Sequence, residues 1–339
     1  MNIERSAILS PRQMYRLFTH IQMLPILESG EETLVGGQAV MEGVMMRAPH
    51  SLCVSVRRAS GEIVSQEMPV QRPSEKYPIL KMPVLRGLGV LGQAMGLGLK
   101  ALQFSANVAL DDENTAKPDE PAKPKKDISR LMMTIQVLFS VAFFLVLYKL
   151  VPLKLTEYVA AWAPVVNGQI LFNAVDGVIR LAIFIGFLLF LSRSKDIRRV
   201  FQYHGAEHKV VFNFEAKKPL TVENAQSFVT FHPRCGTSFM IVIMLISMVV
   251  YMFLPVHGFA AKMAIRIGLL PFIVGGSYEL IRFAARRPGS LLSLLAAPGL
   301  WTQRITTKQP SDEQAEVAIH ALNGAMALEA SQDGELVIA

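Results

Sequence analysis

Four apolar stretches, Leu131 to Val151, Gln169 to Leu191, Ser238 to Val256 and Met263 to Ile281, constrain what this chain can fold into more than any other feature. Each approaches the roughly 20 helical residues that the hydrocarbon core of a bilayer requires. Composition agrees, since 51% of the 339 residues are hydrophobic and only 18% are charged, too apolar for an ordinary soluble protein of this length. The expected fold is an α-helical polytopic membrane protein with about four transmembrane helices and a small cytoplasmic α+β region.

Lys and Arg set the expected orientation, because short loops rich in them stay in the cytoplasm. Lys123, Lys125, Lys126 and Arg130 precede the first stretch, and a dense basic set from Arg193 to Arg234 separates the second from the third. Arg282, Arg286 and Arg287 follow the fourth, whereas the connections Pro152 to Gly168 and His257 to Lys262 hold a single Lys each. Both termini and the 192–237 loop are therefore expected in the cytoplasm of a multi-pass cell-membrane protein, with the lipid bilayer as its first partner. No apolar core followed by a small-residue cleavage site opens the chain, so no secretory signal is expected. Topology accounts for the net charge of +7, and no aromatic-interleaved basic motif points to nucleic acid.

The rest divides by composition. Residues 1–33 read as an amphipathic segment. Residues 34–78 read as a β-rich unit, with a turn at Gly36-Gly37 and a hairpin of SLCVSVRR and EIVSQEMPV whose Leu52, Val54 and Val56 alternate onto one buried face. Residues 79–110 are apolar but punctuated by glycine, which suits an interfacial or re-entrant segment. Residues 111–130 form a charged, proline-containing linker. After the fourth stretch, GSLLSLLAAPGLW suits the membrane surface, and Ser311 to Ala330 reads as an amphipathic helix with Ser311 and Gln314 in capping-box spacing. No fixed-period repeat is evident.

The 192–237 loop gathers three of the chain's seven histidines and one of its two cysteines. Ile197, Val200, Phe201, His204 and His208 recur at helical spacing, so the second span is expected to continue as a helix into the loop, with both rings on one face. Imidazoles at i and i+4 can offer a divalent metal two ligands, and His204-Gly-Ala-Glu207-His208 is H-x-x-E-H, the reversed zinc-protease pattern in which the glutamate is general base. His232 and Cys235 add ligands at H-x-x-C spacing, and Glu223 adds a carboxylate. Four protein ligands on Zn²⁺ close a site and merely pin the loop; three, with Glu223 or His232 as the third, leave a position for water and a hydrolytic role. The plain alternative is a set of interfacial histidines that only hydrogen-bond. Cys53 and Cys235 both fall on the expected cytoplasmic side, where thiols stay reduced and a disulfide is not expected.

Asp176 and Arg180 share a face inside the second span. Each costs about 2.5–3.5 kcal/mol near the bilayer centre, against about 0.3–0.6 kcal/mol gained per large apolar residue, so this helix needs partners. The pair reads either as an interior ion pair or as part of a proton or substrate path.

VGGQAVMEGVMMRAP (Val35 to Pro49), YHGAEHK (Tyr203 to Lys209), TVENA (Thr221 to Ala225) and HPRCGTSF (His232 to Phe239) together resemble the YqhQ-like family of bacterial membrane proteins. The resemblance runs from about residue 34 to 325. That family is of unknown function and is at times labelled a predicted metal-dependent enzyme. The resemblance implies that Glu42, His204, Glu207, His208, Glu223, His232, Arg234 and Cys235 form its motif set, which makes Glu42 a candidate extra ligand or acid/base. Two functions are consistent with these residues. One is a cytoplasm-facing metal-dependent, zinc-type hydrolase acting on a membrane-associated substrate, with His204 and His208 as ligands, Glu207 as base and Arg234 steadying an anionic group. The other is a non-enzymatic membrane-biogenesis or translocation accessory that docks a membrane-protein partner.

Overall fold

The computed structural model describes residues 35–116, 130–232, 235–285 and 297–331. Expectations for residues 1–33, the linker beyond residue 116, segment 286–296 and Arg234 fall outside the described residues.

The β-rich unit is a four-stranded antiparallel sheet in sequence order, β1 (Gly36–Val40), β2 (Gly43–Arg47), β3 (Ser51–Arg57) and β4 (Ile63–Pro69). Chain reversal occurs at Met41-Glu42, where Val40 faces Gly43, and not at Gly36-Gly37, which lie within β1. Gly37 serves packing instead: a Cβ there would stand 2.6 Å from the Met45 carbonyl oxygen and 2.7 Å from Glu207 Cγ. Leu52, Val54 and Val56 share the expected buried face and pack with Val40, Met45, Ala101 and Val108 against helix α1 (Leu85–Ala116). The opposite face presents Val44, Met46 and Cys53 to α5 (Lys195–Glu215) and α11 (Asp312–Ser331). With helices on both sides, β2 and β3 are buried along nearly their whole length, as central strands of a three-layer α/β/α unit must be.

Most of segment 79–110 is helical. A single 32-residue helix, α1, runs through its glycines and into the stretch read as linker, up to Ala116. Each glycine costs a helix only about 1 kcal/mol relative to alanine, and Gly87 and Gly98 sit where Tyr278 and Gln38 press on the helix. Helix α11 begins as expected: the Ser311 N–H donates to Gln314 Oε1 at 2.9 Å, and the Gln314 N–H donates to Ser311 Oγ at 3.3 Å.

The apolar stretches form a bundle. Helix α2 (Arg130–Leu145) passes through a π turn (Val146–Leu150) into α3 (Val151–Trp162), extending the first stretch through most of its expected connection. Thr134–Trp162 and α4 (Gln169–Leu191) are long and apolar enough to cross a membrane. Helix α7 (Gly236–Met252) is apolar but has 17 residues. The fourth stretch is two helices, α8 (Phe259–Gly268) and α9 (Leu270–Ala285), bent by 46° and long enough for a third crossing if they act as one. Length and composition thus give two or three candidate spans among the described residues where four are expected. Pro255 follows the end of α7, and Pro271 removes a backbone donor at the α8–α9 junction.

Two further differences bear on the site. A break at residues 192–194 separates α4 from α5, so the histidine helix is independent of the span before it. Helix α10 (Ala297–Thr306), read from sequence as part of a surface segment, buries Leu300, Gln303 and Ile305, because α7 packs along it.

Candidate metal centre

Helix α5 is held by segments that cross it. The Lys308 N–H donates to the Phe201 carbonyl at 2.9 Å, which carries the 306–308 segment directly over Gly205. A Cβ at Gly205 would lie 2.0 Å from the Lys308 carbonyl oxygen, so only glycine permits this crossing. On the same helix, Lys209 Nζ donates to the carbonyls of Gln226 at 2.9 Å and Phe228 at 2.5 Å, fastening the 226–232 segment.

These two segments orient the histidines. His204 Nδ1 lies 2.9 Å from the Thr306 carbonyl, and His208 Nδ1 lies 2.5 Å from that of Thr230. A carbonyl can only accept, so both Nδ1 atoms carry hydrogen, and in the neutral rings the Nε2 atoms offer lone pairs. Cys235, the N-cap of α7, brings its Sγ to 3.4 Å from His204 Nε2. Ligand atoms of His204, His208 and Cys235 all lie within 4.8 Å of one another. Tetrahedral Zn²⁺ with the usual Zn–N and Zn–S bonds spaces its ligands about 3.3–3.8 Å apart. These three residues could hold a metal ion if their ligand atoms drew in from the 4.8 Å bound to that spacing, and the carbonyl-held Nδ1–H groups are the outer contacts that metal-ligating histidines ordinarily have.

Burial alone would raise the Cys235 thiol, but the His204 and His208 rings beside it hold it well below its usual value. Burial alone would lower His204, yet the Cys235 sulfur, with Glu207 and the Thr306 carbonyl adding to it, raises it to about 9. Both shifts have one main cause, the closeness of sulfur and ring, and the sulfur also stands at a helix N-terminus that favours negative charge. His232 is depressed by burial.

The remaining expected residues divide. Glu207, 6% exposed, places a carboxylate oxygen 3.5 Å from His208 Nε2. His232 is buried with its ring centroid 5.5 Å from that of His208 and its Nε2 3.6 Å from a Glu215 carboxylate oxygen. Glu223 lies exposed on α6 (Val222–Gln226), outside the three-atom group. Glu42 is engaged elsewhere: at the β1–β2 turn, with φ of 53°, it accepts hydrogen bonds from Arg199, one of them 2.6 Å, and from the Tyr203 hydroxyl at 3.3 Å. Sequence reasoning misses Gln303, whose amide brackets His232. Gln303 Oε1 accepts from the His232 N–H and its Nε2 donates to the His232 carbonyl, both at 2.7 Å, and Nε2 also reaches Ser238 Oγ at 2.8 Å. Nothing local marks it for such a role, since Thr302, Arg304 and Thr306 are equally polar neighbours on the same helix.

Fold and site together define a largely helical protein, with candidate membrane-crossing helices and a small sheet, that buries a His-His-Cys cluster where the α/β/α layer meets an apolar bundle. The chain belongs to the family described as "Protein of unknown function (DUF1385)", whose sequence profile matches residues 82–328 and so spans the YHGAEHK, TVENA and HPRCGTSF motifs but not the first. It is 36% identical over 300 residues to the "Uncharacterized protein YqhQ" of Bacillus subtilis (strain 168), covering 87% of this chain and 93% of that one. No solved structure matches significantly.

Proposed function

We propose that the protein is an integral membrane protein with a zinc-type centre on its cytoplasmic side, and that it hydrolyses a membrane-associated substrate there. The observation that carries this reading is the shared tether: both histidines give their Nδ1–H to backbone carbonyls, His204 turns Nε2 toward the Cys235 sulfur, and ligand atoms of all three residues lie within 4.8 Å of one another. Three ligands leave one tetrahedral position, and a divalent ion bound there supplies Lewis acidity that makes a water nucleophilic near neutral pH. Glu207, with a carboxylate oxygen 3.5 Å from His208 Nε2, would act as general base toward an attacking water and return the proton to a leaving group. His204, His208 and Cys235 would hold the ion, and Gln303 positions the segment that carries His232. Arg234, next to Cys235 in sequence, would steady an anionic group on the substrate.

A second reading has its own support. The cluster is deeply buried, with Cys235 6%, His208 2% and His232 4% exposed, as suits a metal that pins segments 226–235 and 306–308 to α5 in a protein that docks a membrane-protein partner. Metal content by plasma mass spectrometry in monodisperse wild type, His204→Ala and Cys235→Ser tests what the two readings share. About one metal per chain, lost in both variants, is expected; no stoichiometric metal in wild type refutes the centre. Glu207→Gln in cells then separates them. A hydrolase keeps fold and metal and loses function, whereas a pinned scaffold keeps all three.

A further inference from the structure

A second polar cluster lies inside the apolar bundle. Arg180 on α4 and Arg266 on α8 both pair with Asp176, Arg266 Nη1 at 2.6 Å. Lys149 joins them from the π turn, its Nζ 3.2 Å from the Tyr251 hydroxyl. Asp176 is 1% exposed, Arg180 and Arg266 2% each, and Lys149 7%. All three cations look onto the Tyr251 ring at 5.1–5.5 Å from its centroid.

Charge does not balance here. Guanidinium groups stay protonated in proteins, so the two arginines exceed the one carboxylate whatever the state of Lys149, and with Lys149 charged the excess is two. Buried charge without a partner is costly, and a ring quadrupole offsets only part of it. Donors are also left over. Arg180 spends Nη1 on Ser247 at 2.7 Å and Nη2 on Asp176, while its Nε is buried with no hydrogen-bond partner among the described residues. Lys149 spends one of three hydrogens. Backbone irregularity converges on the same place: Lys149 sits in a π turn and Arg266 just before the α8–α9 bend. Interrupted helices of this kind commonly carry ligand sites in bundles.

We infer that this cluster is a binding site for a phosphate-type oxyanion, held by Lys149 and the Nε edge of Arg180 and neutralising the surplus charge that Asp176 leaves. A phosphate group supplies up to two negative charges and several acceptor oxygens, which matches the excess and the divergent spare donors. A carboxylate brings one charge and two oxygens. The group can come from free phosphate or from a phospholipid headgroup. The inference rests on this cluster alone and is independent of the metal centre.

The test uses the full chain, purified and delipidated in neutral detergent. Binding of radiolabelled orthophosphate is measured at equilibrium, and native mass spectrometry follows the return of phosphatidylglycerol. About one phosphate group per chain is expected in at least one arm, and competition between the arms identifies its source. Lys149→Met is expected to weaken binding at least tenfold, and His204→Ala to leave it unchanged. If Lys149→Met is not monodisperse, Arg180→Lys replaces it, keeping the charge but removing the Nε donor, with the same tenfold expectation. No binding to monodisperse wild type in either arm, or equal binding by wild type and the variant, overturns the inference.

Discussion

Replacing Gly205 with alanine should destabilise the protein, although the same change inside an unencumbered helix stabilises it by about 1 kcal/mol. The added Cβ would lie 2.0 Å from the Lys308 carbonyl oxygen and 3.1 Å from its carbon, whereas real Cβ atoms essentially never come under 3.0 Å of another atom. The obstructing group is backbone, so the 306–308 segment must retreat by about 1 Å. That movement stretches the bond from the Lys308 N–H to Phe201 and the bond from His204 Nδ1 to Thr306, both 2.9 Å. Overpacking costs about 1–3 kcal/mol and each net hydrogen bond about 1 kcal/mol. After the helix-propensity gain, the net loss is about 2–4 kcal/mol, or roughly 3–6 °C in melting temperature for a chain of 339 residues. Gly186→Ala is the control, since that helical glycine has nothing within 4 Å of its Cβ position. Thermal unfolding in detergent should show the two substitutions moving in opposite directions; equal shifts would refute the close-crossing account of Gly205.

Gln303→Ala should cost about 1–3 kcal/mol, because it removes both amide hydrogen bonds that hold the buried His232 backbone and leaves the carbonyl the weaker 3.4 Å contact with the Cys235 N–H; thermal unfolding and faster amide exchange at His232 check it. Asp176→Asn leaves two buried guanidinium groups without a counter-charge and should destabilise by about 3–5 kcal/mol, seen as lost monodispersity or a lower melting temperature. In the metal-free protein His204 should remain doubly protonated at pH 8, read from imidazole nitrogen shifts, and Cys235→Ser should lower its pKa, since the sulfur is the main group that raises it. Taken alone, the raised His204 value contributes stability that is complete below pH 6.5 and lost as pH rises through about 9. The lowered Cys235 contributes stability present above its ordinary value of 9.0 and lost as pH falls through its folded value. Metal must displace the His204 proton, so apparent zinc affinity should rise about tenfold per pH unit between pH 7 and 9; a flat profile would count against His204 as a ligand.

Sequence by itself determined whatever depends on local pattern. Apolar runs locate the bundle, alternation at Leu52, Val54 and Val56 gives the sheet face, the Ser311–Gln314 spacing starts α11, and i, i+4 spacing puts His204 and His208 on one side of a helix. These follow because helix and strand periods are properties of consecutive residues. Tertiary structure alone decided what meets across the chain. It chose Cys235 over Glu223 beside the two histidines, diverted Glu42 to Arg199, and set Gln303 around His232. It also placed Lys308 against Gly205 and joined Lys149 and Arg266 to Asp176 and Arg180. Each of these contacts spans tens of residues or more, and its partner is fixed by how layers stack, a long-range packing outcome that no local period encodes.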